Sequence, residues 1–248
     1  MSESFFHALM NPKSIAIVGA SNNPMKMGTM HALSILKDGY EGKFYPVHPT
    51  EKTVLGHPAY ASPLDLPEAP DLAMFVLPAQ HLLPVFDAFG KIGTRFAIVI
   101  TAGFNEAGEH GKQLEMELKA MARKYGIRFI GPNCMGIVNR DISLNTSVSP
   151  IVGKPGKLGL ISQSGTYVAQ TVDYLQKRGI RLGKAVSLGN EADVNIIDAL
   201  EYLGEDSRTA AISMYIETIR DPQRFLRVAR NITPYKPVIA QYIGGSEA

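Results

Sequence analysis

The fold is decided by the stretch SIAIVGASNNPMKMG at residues 14–28. Its first five residues form a short β-branched run that Gly19 stops, and such a run predicts a strand buried on both faces. Residues 28–37 carry a helical pattern directly afterwards. A buried strand, a glycine-containing loop and a helix in this order are typical of the first unit of a doubly wound parallel α/β sheet.

The loop between this strand and this helix has the composition of an anion site. Ligands of an open parallel sheet bind beyond the carboxyl ends of its strands, which is where residues 19–28 lie. From Gly19 to Lys37 the chain has no acidic residue, whereas Lys26 and Lys37 are present. The helix also directs its free N–H groups at the loop. The pattern favours a phosphate, and an ordinary strand-to-helix turn is the alternative.

A nicotinamide cofactor does not fit the same loop. That cofactor requires G-x-G-x-x-G and an acidic residue at the end of the second strand. Here eight residues separate Gly19 from Gly28, and the second strand ends in Val47-His48-Pro49. We therefore expect a different nucleotide-containing anion.

The alternation of strands and helices continues outward from this unit and then repeats. Further strands are predicted at 43–47, 71–77, 96–100 and 128–130, with helices at 80–91 and 111–125. A polar segment at 141–155 predicts a connection between domains. After it, strands are predicted at 158–161, 184–188, 210–215 and 238–242, with helices at 166–178, 196–203 and 222–232. The prediction is a Rossmann-like domain at 1–140 and a parallel, flavodoxin-like domain at 156–248, which is incomplete because Gly244–Ala248 lacks a covering helix.

Composition excludes several classes of function. The 248 residues are 45% hydrophobic and 19% charged, with a net charge of +2 and scattered basic residues. Neither a nucleic-acid surface nor a membrane span is predicted from this pattern. Cys134 is the single cysteine, which favours a reducing compartment, the cytoplasm. No spacing of ligand residues predicts a metal site.

Several phrases in the chain resemble the succinyl-CoA synthetase alpha subunit and the ADP-forming acetyl-CoA and other acyl-CoA synthetases. They are SIAIVGAS at 14–21, YPVHP at 45–49, AGFNEAG at 102–108, GPNCMG at 131–136, ISQSG at 161–165, SLGNEAD at 187–193 and KPV at 236–238. The resemblance implies a coenzyme A (CoA) site in the first domain. Its implied contacts are Gly19, Ala20, Ser21, Pro24, Lys26, Gly28, Val47, His48, Pro49, Pro78, Ala79, Ala102, Gly103, Phe104 and Asn133.

A second site is predicted at the start of the helix that follows ISQSG. Its N–H groups could hold a phosphate, although Ser164 as a simple helix cap is the alternative. The resemblance implies that Gln163, Ser164 and Gly165 hold the phosphoryl group of a phosphohistidine. It also implies that Glu217 orients the imidazole of that histidine, and that Asn133 lies near the reacting thiol.

The resemblance implies that the nucleophilic histidine lies shortly after a Gly-rich segment like Gly244–Ala248, so it is expected beyond Ala248. None of the six histidines of the chain fits the role. The 248 residues alone are therefore predicted to bind CoA without completing the ligase reaction between a carboxylic acid, CoA and a nucleoside triphosphate. The resemblance implies an oligomer in which a beta-type ATP-grasp domain holds the Mg-nucleotide. A non-catalytic CoA-sensing or regulatory module, as beside an acetyltransferase, is the alternative. The acyl group and the choice between ADP and GDP are not predicted.

Overall fold

The computed structural model describes residues 5–243, which form two β-sheets with helices packed against them. The helices are α1 (Phe5–Met10), α2 (Met27–Lys37), α3 (Leu82–Ile92), α4 (Glu109–Tyr125), α5 (Gly165–Lys177), α6 (Ile196–Glu205) and α7 (Pro222–Ile232). The strands are β1 (Ser14–Val18), β2 (Lys43–Val47), β3 (Thr53–Val54), β4 (His57–Pro58), β5 (Leu72–Phe75), β6 (Phe96–Val99), β7 (Arg128–Ile130), β8 (Gly136–Asn139), β9 (Leu144–Asn145), β10 (Leu158–Ser162), β11 (Leu182–Ser187), β12 (Ala211–Ile216) and β13 (Val238–Tyr242).

The first sheet has five parallel strands in the order β2-β1-β5-β6-β7. All five residues of β1 are buried, as expected for a strand with helices on both faces. Numbered within the sheet, the order is 2-1-3-4-5, a doubly wound arrangement whose direction reverses between β1 and β5. The predicted Rossmann-like parallel sheet is confirmed.

The second sheet has the order β13-β12-β10-β11-β8-β9. Its four strands β10 to β13 are parallel and reverse their winding between β10 and β12, in agreement with the predicted flavodoxin-like domain. At the other edge β8 pairs with β11 in the antiparallel direction, and β9 pairs with β8. The prediction of a purely parallel sheet was wrong at this edge, because the chain turns back after β7 and pairs with a strand that comes much later.

The change from one sheet to the other falls before Gly136, whereas the sequence pattern predicted a boundary at 140. The segment 141–155, predicted as a plain connection, contributes β9 to the second sheet. The predicted loop at Gly244–Ala248 lies outside the described residues. Helix α1 was not predicted. It packs against the second half of the chain, where Phe6 stacks on Tyr202 of α6 at 5.0 Å between ring centroids.

One apolar core runs through both halves of the molecule. It contains Ile15 and Ile98 of the first sheet together with Ile161 and Val186 of the second, all fully buried. Between the halves the Arg128 guanidinium also pairs with Asp193 at 2.9 Å. The shared core packs the two sheets against each other. The sites described below lie at the carboxyl ends of the parallel strands of each sheet.

Candidate functional site

A cavity of about 690 Å³ opens where the first sheet reverses its strand order. Such reversals are where open α/β sheets bind ligands, and the volume is in the range of about 300–1,000 Å³ that is usual for small-molecule sites. The ends of β1, β2 and β5 all reach it. Its lining residues are Val18, Gly19, Lys26, Met27, Gly28, Val47, His48, Pro49, Ala61, Ser62, Pro63, Val76, Leu77, Pro78, His81, Pro84, Val85 and Ala88.

Two glycines let the loop and α2 close on the strand ends. Gly19 has φ +99°, and a Cβ there would lie 1.8 Å from the carbonyl oxygen of Val76. A Cβ on Gly28 would lie 2.3 Å from the carbonyl oxygen of Gly19. The start of α2 is thereby held against the end of β1, so its first N–H groups, which lack partners within the helix, face the cavity edge.

The same loop carries one cationic residue, Lys26, and the first turn of α2 contains no acidic residue. Lys26 is the exposed N-cap residue of α2, and its side chain makes no capping hydrogen bond. Ser21 is buried and exchanges hydrogen bonds with Thr29: its N–H donates to Thr29 Oγ1 at 3.1 Å, and that hydroxyl donates to the Ser21 carbonyl at 2.9 Å. Lys26 is therefore available to an anionic ligand, whereas Ser21 maintains the shape of the loop.

The His48 ring fixes the turn after β2. Its Nδ1 accepts hydrogen bonds from the N–H groups of Thr50 at 3.3 Å and Glu51 at 3.0 Å. The proton of the neutral ring must therefore sit on Nε2, which lies 3.8 Å from Glu51 Oε1.

Seven of the fifteen residues that the sequence assigned to the ligand line this cavity: Gly19, Lys26, Gly28, Val47, His48, Pro49 and Pro78. The other eight do not: Ala20, Ser21, Pro24, Ala79, Ala102, Gly103, Phe104 and Asn133. Ala20 and Ser21 are buried within the loop and Pro24 is exposed on it. Phe104 is fully buried, so it can act only through the position of the loop that it anchors.

The sequence analysis missed the wall of the cavity formed by the start of α3 and the turn at 62–63. His81, Pro84 and Val85 belong to the start of α3 or precede it directly, and Ser62 caps the short 3₁₀ turn at Pro63–Asp65. A signal for the α3 residues existed. Helix α3 begins directly after β5, and β5 borders the reversal point, so its first turns had to face the same edge.

The lining suits a nucleotide with an apolar extension, such as CoA. One end offers the N-terminus of α2 and Lys26, which are suitable partners for phosphates. The remaining wall is formed largely by proline, valine, leucine and alanine side chains, with His48, Ser62 and His81 as polar groups. Apolar walls with a few placed polar groups are typical of cofactor sites.

The second predicted site lies where the second sheet reverses, between β10 and β12. Ser164 is the N-cap residue of α5, and its hydroxyl accepts from the Tyr167 N–H at 3.3 Å. The Ser162 hydroxyl donates to the Ser164 carbonyl at 2.7 Å and tightens the turn. The serine cap that the sequence offered as an alternative is thus present. It does not exclude an anion, because the other N–H groups of this helix start lack partners within the helix.

Gln163 joins this turn to the loop after β12. Its Oε1 accepts from the N–H groups of Glu217 at 2.6 Å and Thr218 at 3.0 Å, and its Nε2 donates to the Thr218 carbonyl at 2.8 Å. Glu217 itself is exposed. The structure therefore brings Gln163, Ser164, Gly165 and Glu217 to one edge, with Gln163 as a structural link rather than an exposed ligand.

Asn190 and Glu191, in the loop after β11, connect the second site with the first sheet. The Asn190 amide donates to Glu106, which accepts from the Gly103 N–H at 2.7 Å. The Asn133 amide donates to Asn190 Oδ1 at 3.4 Å, and Arg220 donates to the Asn190 carbonyl at 2.5 Å.

These loop acids and amides are engaged within the protein. Glu191 Oε1 accepts from the Ile196 N–H at 2.7 Å, and burial raises the pKa of Glu191 to about 7. Asn195 caps α6, and Asp193 pairs with Arg128. Within residues 5–243, no group of three His, Cys, Asp or Glu side chains is arranged to hold a metal ion.

The remaining candidate residues have structural positions. Cys134 is buried, and burial raises the pKa of its thiol to about 12. His31 is fully buried, its Nδ1 contacts the Thr146 carbonyl at 2.5 Å, and burial lowers the pKa of its ring. Within residues 5–243, Gln163, Ser164 and Glu217 make no hydrogen bond to a histidine.

Two family models match the chain. The model described as a CoA binding domain matches residues 13–140, and the model described as a succinyl-CoA ligase like flavodoxin domain matches residues 155–248. Across the described residues 5–243, we find no helix with both the length and the apolar character needed to cross a bilayer.

Individual relatives have the same arrangement. The acetate–CoA ligase [ADP-forming] II subunit alpha of Pyrococcus furiosus is 43% identical over 96% of this chain and 52% of its own length. The 4-hydroxybutyrate–CoA ligase [ADP-forming] of Nitrosopumilus maritimus is 38% identical over 96% of this chain and 34% of its own length. The dinucleotide forming acetyl-coenzyme A synthetase 1 of Ca. Korarchaeum cryptofilum, solved with phosphate and ADP, matches with a TM-score of 0.91 and 36% identity over 96% of this chain and 51% of its own. The chain thus spans about half the length of the alpha subunit that it matches, and less of the longer relatives.

Proposed function

Because the chain belongs to the family of CoA-binding, succinyl-CoA ligase-like proteins that includes the alpha subunits of ADP-forming acyl-CoA synthetases, we propose that it is the CoA-binding, phosphoryl-handling portion of such a ligase. The reaction interconverts acid, CoA and nucleoside triphosphate with acyl-CoA, nucleoside diphosphate and phosphate. One observation carries the proposal: each sheet presents a loop suited to an anion at its own reversal point.

In the first site, the N-terminus of α2 and Lys26 bind the CoA phosphates. Gly19 and Gly28 permit this approach, since a side chain at either position would collide with backbone. The apolar wall that includes Pro49 and Pro78 binds the less polar part of CoA. Bound CoA supplies the thiol that accepts the acyl group, and the loops at 102–106 and 133 lie on the side toward the second sheet, where that thiol is needed.

In the second site, the start of α5 at Ser164 and Gly165 holds a phosphoryl group. Free N–H groups and the positive end of the helix favour an anion there. Glu217, on the adjacent loop, orients the imidazole of a phosphohistidine and fixes its tautomer. The absence of a histidine partner for this cluster among the described residues supports a nucleophile contributed from outside the 248 residues.

We further propose the partners that such a relay requires. A beta-type ATP-grasp domain holds the Mg-nucleotide, a carboxylic acid is the acyl source, and the working assembly is an oligomer. The subunit naming of the Pyrococcus furiosus relative supports a separate beta chain. The cytoplasm is the proposed compartment, in keeping with a single, buried cysteine.

Isothermal titration of the chain with CoA and with NAD tests the first site. CoA should bind and NAD should not, since the second strand ends without the acidic residue that nicotinamide dinucleotides require. Dephospho-CoA and pantetheine, titrated in parallel, report how much of the affinity depends on the phosphates. Tight NAD binding together with silent CoA would contradict the assignment.

A further inference from the structure

The loop after β11 reaches across to the first sheet at Asn190. The backbone N–H of Asn190 donates to the Pro132 carbonyl at 2.9 Å, and the N–H of Ala192 donates to the Gly131 carbonyl at 3.0 Å. Gly189 lies so close that a Cβ there would be 2.2 Å from the Pro132 carbonyl oxygen. The loop after β7 therefore lies directly against a loop of the second sheet.

The side-chain amide of Asn190 is oriented by two carboxylates. Its Nδ2 donates to Glu106 Oε2 and lies 3.5 Å from Oε2 of Glu115, a buried residue of α4. Ionised carboxylates only accept hydrogen bonds, so the amide nitrogen must face them and the amide oxygen must face away. That oxygen accepts from the Asn133 side-chain amide at 3.4 Å. The direction of the Asn190 amide thus determines which end of the Asn133 amide faces it.

Glu106 extends the contact to the loop after β6. Its Oε1 accepts from the backbone N–H groups of Gly103 at 2.7 Å and Phe104 at 3.2 Å, while its Oε2 faces Asn190. From the second sheet, Arg220 donates to the Asn190 carbonyl at 2.5 Å. Asn190 therefore contacts both loops that the proposed function places toward the thiol of CoA.

We propose that Asn190 is a positioning residue for the thiol end of CoA: it holds the loops after β6 and β7 in place and orients the Asn133 amide. The significance for CoA rests on the proposed function, whereas the contacts themselves do not. Within residues 5–243 the Asn133 side chain makes no other hydrogen bond, so its second amide hydrogen and its oxygen are available to a ligand. Asn190 thus determines which polar groups Asn133 offers there.

An exchange of acid and amide between positions 106 and 190 tests the contact. In Asn190→Asp, at pH 8, a carboxylate faces the Glu106 carboxylate. In Glu106→Gln the amide oxygen serves the Gly103 N–H, so two amide nitrogens face each other. Each change replaces an attractive contact with a repulsive one. The double variant restores one acid and one amide in the reverse order, and its recovery should be incomplete because Glu115 lies beside the new carboxylate.

Titration with CoA and with adenosine 3′,5′-bisphosphate, which lacks the pantetheine arm, is the main measurement. Each single variant should weaken CoA about tenfold, the scale of one lost hydrogen bond to a charged group. Binding of the bisphosphate should not change, because it does not reach the loops after β6 and β7. The double variant should bind CoA more tightly than either single variant. Asn231→Asp is the matched control: it adds the same charge at an exposed position of α7 and should bind both ligands like wild type.

Hydrogen exchange of the Asn133 backbone amide, which donates to the Thr101 carbonyl at 3.0 Å, reports on the loop without any ligand. Its protection should fall in each single variant and recover in the double variant. A double variant that shows no recovery in either measurement, or equal weakening of CoA and the bisphosphate, would overturn the proposal. If wild type itself fails to bind CoA, the proposed function fails, while the exchange data still judge whether Asn190 and Glu106 hold the loop.

Discussion

Replacing Glu191 with Gln should change how the stability of the chain depends on pH. Burial raises the pKa of Glu191 from 4.5 to about 7. Between these two values the folded chain binds more protons than the unfolded chain, so the free energy of unfolding falls as the pH rises, and above the folded pKa it levels off. At about 1.4 kcal/mol per pKa unit the whole shift is worth about 3 kcal/mol, of which about 2–3 kcal/mol falls between pH 5 and pH 8.

Urea unfolding at several pH values, at constant ionic strength, measures this contribution. Groups other than Glu191 titrate in both proteins, so the difference in unfolding free energy between wild type and Glu191→Gln isolates the Glu191 carboxyl. That difference should move in favour of the variant by about 2–3 kcal/mol from pH 5 to pH 8.

A constant offset between wild type and Glu191→Gln across the pH range would refute the reasoning. It would mean that the carboxyl has the same pKa in the folded and unfolded chain. In that case the hydrogen bond from the Ile196 N–H and the Arg220 charge would balance the burial of the carboxylate, and Glu191 would remain ionised at neutral pH.

Three further predictions concern the two ligand sites. Lys26→Ala should weaken the binding of CoA by about 1.5–3 kcal/mol and that of pantetheine by less, because a charge-assisted contact to phosphate is lost. Equal losses of binding free energy in titration calorimetry would place Lys26 away from the phosphates. Gly28→Ala should destabilise the chain by about 1–3 kcal/mol in urea unfolding and weaken CoA, since its methyl group would lie 2.3 Å from the Gly19 carbonyl oxygen; unchanged stability would contradict that close approach. The 248-residue chain should not be phosphorylated by acyl phosphate or nucleoside triphosphate. An extended chain with a beta-type partner should be phosphorylated, and Glu217→Gln should reduce that labelling. Acid-labile phosphate on any of the six histidines of this chain would show that the nucleophile has been misplaced.

The parallel strands could be predicted because their signal is local. The residues of β1, β2 and β7 are short apolar runs bounded by glycine, proline or charged residues, and the structure assigns them the predicted bounds. Helix α7 likewise begins at Pro222 behind the capping residue Asp221, a pattern readable from sequence alone.

Pairing between distant segments could not be predicted in this way. Strand β8 is fully buried, but its partner β11 begins more than forty residues later and runs in the opposite direction. Nothing within Gly136–Asn139 specifies that direction. The burial of Glu191 was not predicted for a similar reason: in sequence it is one acid in a polar loop, and it becomes buried only when the folded chain packs around that loop.

The two sites must communicate if a thiol held by one sheet is to meet a phosphoryl group held by the other. The loops after β6 and β7 carry Glu106 and Asn133, the loop after β11 carries Asn190, and the loop after β12 carries Arg220. All four follow the carboxyl ends of strands, and Asn190 forms hydrogen bonds with the other three. Asn190 therefore joins the loops after β6 and β7 of the first sheet to the loop after β12 of the second sheet, which is a direct contact between the carboxyl-end edges of the two sheets.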